Sequence, residues 1–164
     1  MKHLRKLLTT RLAAIPTSFA VGILIVAVLG FVDAAYLTIE HYKGVIPPCS
    51  VVSGCETVLT SSYSLILGMP VSLLGALYYL VIAIGIFAYM DTKKTEILKW
   101  TLFLTIFGLL MSLWFLVVQA FILKAWCIYC LGSAVTSIAL FVLANIVFKK
   151  YMITETVDNT AVLQ

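Results

Sequence analysis

Charge is scarce in this sequence. Lys, Arg, Asp and Glu together make up 11% of the 164 residues, against about 25% in an ordinary soluble domain, and that deficit excludes a fold wetted on all sides. Proline occurs four times and histidine twice. No Pro/Gly/Ser linker, internal repeat or low-complexity tract divides the chain, which sets aside multi-domain, solenoid and disordered readings. The net charge is +4, but the basic residues fall in short clusters between apolar runs. They form no continuous basic face of the kind that nucleic acid requires.

Apolar residues take the place of the missing charge. They account for 63% of the chain, and four stretches reach the roughly 20 residues that a helix needs to cross about 30 Å of hydrocarbon. These run about 17–39, 69–90, 100–123 and 128–148, so one membrane domain over residues 1–164 is expected. The first stretch follows Lys2, Arg5, Lys6 and Arg11 like a signal peptide, yet it is too long for a cleaved apolar region and reads as an uncleaved anchor. Those four basic residues, with Lys93, Lys94, Lys99, Lys149 and Lys150, fall on one side of the membrane, and only Lys43 and Lys124 on the other. The positive-inside rule then places both termini in the cytoplasm of a plasma (inner) membrane and the loop about 42–68 outside. In that loop Val58, Leu59, Leu65, Ile66 and Leu67 suit an amphipathic lid on the interface, before Gly68 and Pro70 redirect the chain.

All four cysteines share the outer face. Cys49 and Cys55 are in the loop, and Cys127 and Cys130 stand where the fourth span begins. An oxidising outer compartment favours disulfide cycling over permanent thiols or zinc. Cys127-Ile128-Tyr129-Cys130 is a C-x-x-C at a helix start, where unpaired N–H groups and the helix dipole favour a thiolate. Residues three apart share a helix face, so the two sulfurs can join and part with little backbone motion. Cys49 and Cys55 sit among Pro47, Pro48, Ser50, Ser53 and Gly54, a composition that suits a mobile tether able to visit two partners in turn. Three other readings stay open: buried apolar cysteines, a disulfide stapling loop to bundle, and a four-thiolate metal site.

Other polar residues carry weaker signals. Asp33 inside the first span costs roughly 2.5 to 3.5 kcal/mol at mid-helix and needs a partner or water; it either hydrogen-bonds across the bundle or assists proton uptake. Glu40 and His41 read as interfacial, and Lys124 and Trp126 as anchors at the outer rim. Ser72, Tyr78 and Tyr79 read as packing or belt residues that could also orient a flat ligand.

Taken in order, these features resemble the vitamin K epoxide reductase homologues. The match runs from Tyr36-Leu37-Thr38 through the loop pair to Cys55-Glu56-Thr57-Val58-Leu59-Thr60-Ser61-Ser62-Tyr63, then Gly68-Met69-Pro70, Gly75 and the C-x-x-C, over about 25–147. The resemblance implies an all-α integral membrane protein: a four-transmembrane-helix bundle with an outer loop and a short interfacial lid helix carrying a cysteine pair. It also implies a thiol:quinone oxidoreductase without a metal, which reoxidises a separate extracytoplasmic thioredoxin-fold protein and passes two electrons to ubiquinone, menaquinone or a related quinone. By the same resemblance Cys130 faces the quinone, Cys127 exchanges with the loop, Cys55 receives electrons from Cys49, and Cys49 meets the partner. Ser61 matches a lid serine near the quinone or the active cysteines, with a helix-capping hydroxyl as the competing reading. The chain departs from the pattern in two places. The spacing between Cys49 and Cys55 is shorter than usual, and Val71 stands where some members carry an asparagine that hydrogen-bonds the quinone carbonyl. Two alternatives remain: a quinone-epoxide reductase of vitamin K type, and a non-enzymatic four-helix membrane protein stapled by two disulfides.

Overall fold

The computed structural model describes residues 15–49 and 54–149. The first basic cluster, Ser50, Ser53 and Lys150 lie outside the described residues. Helix α1 (Thr17–Lys43) begins directly after Pro16, where the chain needs no N–H donor. It ends at Gly44, whose left-handed backbone (φ 67°) lets its N–H reach the carbonyls of Glu40 and His41, the usual way a helix closes its last turn. Helix α3 (Val71–Thr92) likewise follows Pro70. Helix α4 (Thr95–Val117) runs on into a π-helical turn, Val118–Leu123, and α5 (Ile128–Val147) starts at Cys127.

The four long helices are each apolar and long enough to cross a membrane. Their outward faces agree, since Ile25, Phe87, Trp100 and Phe103 are all more than half exposed, an arrangement stable only in lipid. Helix α1 packs on α3 and α5, and α4 packs on the same two helices, so the bundle is a ring with α1 and α4 on the diagonal. Gly30 permits a close approach of α1 and α3, because a Cβ there would collide with the ring of Tyr79. The Tyr79 hydroxyl in turn donates to the Ser133 carbonyl at 2.7 Å and lies within 2.9 Å of Ser137 Oγ, tying α3 to α5. Ile23, Ala27, Ile82, Ile86 and Leu140 fill the centre of the ring.

The lid differs in form from the expected amphipathic turn. A short helix α2 (Cys55–Leu59) and a 3₁₀ turn (Ser62–Ser64) are followed by a two-residue hairpin, β1 (Leu65–Ile66) and β2 (Met69–Pro70). Leu65 pairs with Pro70 and Ile66 with Met69. The hairpin arises because Leu67 and Gly68 both take positive φ, 53° and 79°, as a tight two-residue turn between twisted strands demands. It consumes Met69 and Pro70, which the hydropathy pattern assigns to the second span, so that span begins at Val71.

Candidate active site

The site is built from three pieces of backbone at one end of the bundle. The first is the extended segment that enters α5. Cys127 is the N-cap of α5, with φ −110° and ψ 120°; its carbonyl accepts from Leu131 N–H at 2.9 Å, while its own N–H has no helical partner. That N–H donates instead to Gln119 Oε1 at 3.0 Å. The Gln119 backbone carbonyl also accepts from Ala125 N–H at 3.2 Å and closes the π-helical turn at Lys124. Gln119 therefore clamps the bend that delivers Cys127 to the helix start.

The second piece is the lid. Gly54 leads into α2 and lies so near the 125–126 backbone that a Cβ on it would sit 2.7 Å from both Trp126 N and Trp126 O. That contact seats Cys55 beside Cys127. Cys55, Val58 and Cys127 form one buried cluster, with Cys49, Leu59, Leu123, Ala125, Tyr129 and Cys130 packed against it. Cys55 is 2% exposed and Cys127 fully buried.

The third piece is the loop before the lid. Cys49 and Cys55 are joined as a disulfide with their Cα atoms 6.2 Å apart, whereas Cys127 and Cys130 are free thiols. The covalent link thus lies within the loop and does not staple loop to bundle. Tyr129 steadies the loop: its hydroxyl donates to the Pro48 carbonyl at 3.3 Å, and its ring lies 5.6 Å from that of Tyr36. Hydrogen bonding from the Cys130 thiol lowers Cys127 to about 7, aided by the Cys130 and Tyr129 backbone N–H groups and opposed by burial and by Asp33. A thiol at the amino end of a helix is where a thiolate is expected.

Below the cysteines a cavity of about 800 Å³ opens between the helices and under the lid. Its wall is mostly apolar and includes Leu37, Val58, Val71, Phe107 and Phe115. Among the four cysteines, Cys130 alone lies on that wall. Two buried polar atoms there, Asp33 Oδ2 and the Tyr78 hydroxyl, have no hydrogen-bond partner among the described residues.

The sequence-derived candidates fall into two groups. Cys49, Cys55, Cys127 and Cys130 are brought together, and Asp33, His41, Ser72, Tyr78 and Ser61 all line the cavity. Ser61 donates its proton to the Val58 carbonyl at 2.8 Å, so toward the cavity its hydroxyl can only accept. Tyr79 belongs to packing, its hydroxyl being held by α5. Glu40 pairs with Lys43 at 3.2 Å, and Trp126 stays 42% exposed at the rim. Gln119 is the functional residue that sequence reasoning passes over. Its signal was a lone carboxamide in an apolar run, eight residues before Cys127, and a polar side chain at membrane depth calls for a reason.

The sequence profile of the Vitamin K epoxide reductase family matches residues 21–145. No curated protein matches the chain.

Proposed function

The chain belongs to the vitamin K epoxide reductase family, a family of membrane four-helix redox proteins that work through cysteines, and on that premise we propose that it is a thiol:quinone oxidoreductase. In this reading it reoxidises an extracytoplasmic thioredoxin-fold protein and delivers two electrons to a quinone. The observation that carries the proposal is the cluster of Cys55 and Cys127 with Cys49 and Cys130 packed against it, and, of the four, Cys130 alone on the wall of the apolar cavity. That wall fits a quinone: it is apolar enough for a ring and tail, and it holds the unpartnered Tyr78 hydroxyl, which can donate to a ring oxygen.

The sulfur chemistry follows from the order of contacts. A partner thiolate attacks Cys49 Sγ, forming a mixed disulfide and releasing Cys55 as a thiolate. Cys55 attacks Cys127 Sγ of a closed Cys127–Cys130 disulfide, and Cys130 leaves as the thiolate. The partner's second thiol frees Cys49, which attacks Cys55 and releases Cys127. The result is a closed loop pair and a reduced helix pair, the arrangement of sulfurs described above. A bound quinone supplies the oxidant, taking up two electrons and two protons as Cys127 and Cys130 close again. Cys127, lowered to about 7, is the sulfur ready to form that bond, while the Cys130 thiol faces the cavity.

The same reading sets the orientation. Lys93, Lys94, Lys99 and Lys149 lie at the end of the bundle away from the cysteines, so the positive-inside rule puts the cysteine end outside. The test is anaerobic reduction of ubiquinone and menaquinone analogues by the purified protein with a reduced thioredoxin-fold donor. Wild type should turn over, and Cys130→Ser should lose turnover, its Cys127 thiolate attacking Cys55 of the loop disulfide to leave a Cys55–Cys127 bond and a free Cys49 thiol, read by mass spectrometry. Full turnover by Cys130→Ser would overturn the assignment, and no turnover by wild type with any such donor would leave the non-enzymatic reading standing.

A further inference from the structure

Gln119 is 1% exposed, sits in the π-helical turn Val118–Leu123 and lines the cavity that Cys130 also lines. The turn ends α4 and bends the chain toward Cys127. The orientation of the carboxamide is settled by chemistry. The Cys127 N–H is a donor, so the atom 3.0 Å from it must be the oxygen, and the amide nitrogen is the other end of the group. That nitrogen donates to no described residue, and on the wall of an apolar cavity it is open to a ligand that brings an acceptor. Val71, also on the wall, can donate nothing to a ring carbonyl.

We infer that Gln119 binds the acceptor ring and positions the redox pair at once: Nε2 donates to a carbonyl oxygen of the quinone, while Oε1 holds the Cys127 backbone N–H. The inference rests on the thiol:quinone reading and names the donor that reading requires. One rigid carboxamide then fixes the ring relative to the C-x-x-C, because moving either end moves the other. The ligand chemistry is a flat ring with an accepting carbonyl, and its hydrocarbon counterpart would leave the nitrogen unpaired.

The test uses the full chain in detergent with Cys127 and Cys130 oxidised, so that no thiol reacts with the probe, and duroquinone as the ring. Two quantities are read: the Kd, from quenching of tryptophan fluorescence, and the carbonyl stretching band of bound, isotopically labelled duroquinone. Gln119→Met, of similar length, is expected to raise the Kd about 10-fold and to return the carbonyl band to its position without a hydrogen bond. Gln119→Glu, ionised at about pH 9, keeps an oxygen for Cys127 and loses the donor. It should show the same two changes while retaining slow exchange of the Cys127 amide proton, and it serves in place of Gln119→Met if that variant does not fold. An unchanged band, with or without weaker binding, overturns the inference. Wild-type protein that neither binds nor reduces any quinone overturns the thiol:quinone reading instead.

Discussion

Gly54→Ala should cut the cysteine relay at one joint and leave the rest working. The added methyl would sit 2.7 Å from Trp126 N and from Trp126 O, with Ala125 Cβ at 3.2 Å, and the two nearest atoms are backbone, unable to swing aside. Ordinary contact begins near 3.5 Å, so the start of α2 must move away from the 125–126 segment by about 0.8 Å. Overpacking of this kind costs about 1 to 3 kcal/mol. A displacement approaching 1 Å between reacting atoms slows a positioned reaction by up to about 100-fold, and here the atoms are Cys55 Sγ and Cys127 Sγ. Rapid-quench alkylation followed by mass spectrometry measures the transfer: exchange between the Cys49–Cys55 and Cys127–Cys130 pairs should slow about 10- to 100-fold. Quinone reduction driven by a small dithiol that reaches Cys127 and Cys130 directly should hardly change. Gly22→Ala, where a Cβ meets nothing within 4 Å, is the control. Wild-type exchange in a folded Gly54→Ala protein would refute the idea that this contact seats Cys55 against Cys127.

Three further expectations can be checked on the same material. The Cys127 thiol is lowered to about 7 and the thiolate is the reactive form, so in reduced protein its ultraviolet thiolate absorbance should rise with pH and reach half its change near 7, about 1.5 units below an ordinary thiol. Cys130→Ala removes the hydrogen bond that contributes most to that lowering and should move the titration upward. Tyr79→Phe removes a hydroxyl held between the Ser133 carbonyl and Ser137 Oγ and should destabilise the bundle in detergent by about 1 to 2 kcal/mol, read by chemical unfolding. Leu67 is 94% exposed at φ 53°, a conformation costing a branched side chain about 1 to 2 kcal/mol; Leu67→Asn should raise the thermal midpoint without loss of thiol exchange.

Much of this architecture is legible in one dimension because lipid tolerates few solutions. Every backbone polar group in hydrocarbon must be paired within its own segment, so a run such as Val71–Thr92 is read as a helix with no knowledge of its neighbours. Pro16 and Pro70 before helices and Gly44 after one mark boundaries for local steric reasons. The C-x-x-C was legible as a helix start by the same kind of reasoning, and Cys127 is the N-cap. The hairpin at 65–70 was less visible, since its turn depends on Leu67 accepting a positive φ that leucine seldom adopts. Gln119 showed in the sequence only as a lone carboxamide in an apolar run, because nothing in its neighbours signals the π-helical turn from which its side chain reaches the Cys127 N–H.

By itself the sequence determined the solvent, the number of spans, the cysteine pair at a helix start and the motif order that resembles a known family. These depend on composition, on charge asymmetry and on interactions within a few residues. Only the tertiary structure decided which cysteines touch, that Cys130 alone meets the cavity, that Gly54 has no room for a methyl, and that Asp33 and Tyr78 share a wall. Those facts depend on distances between segments far apart along the chain, such as Asp33 and Tyr78 or Cys55 and Cys127, and such distances are set by how four helices pack into a ring.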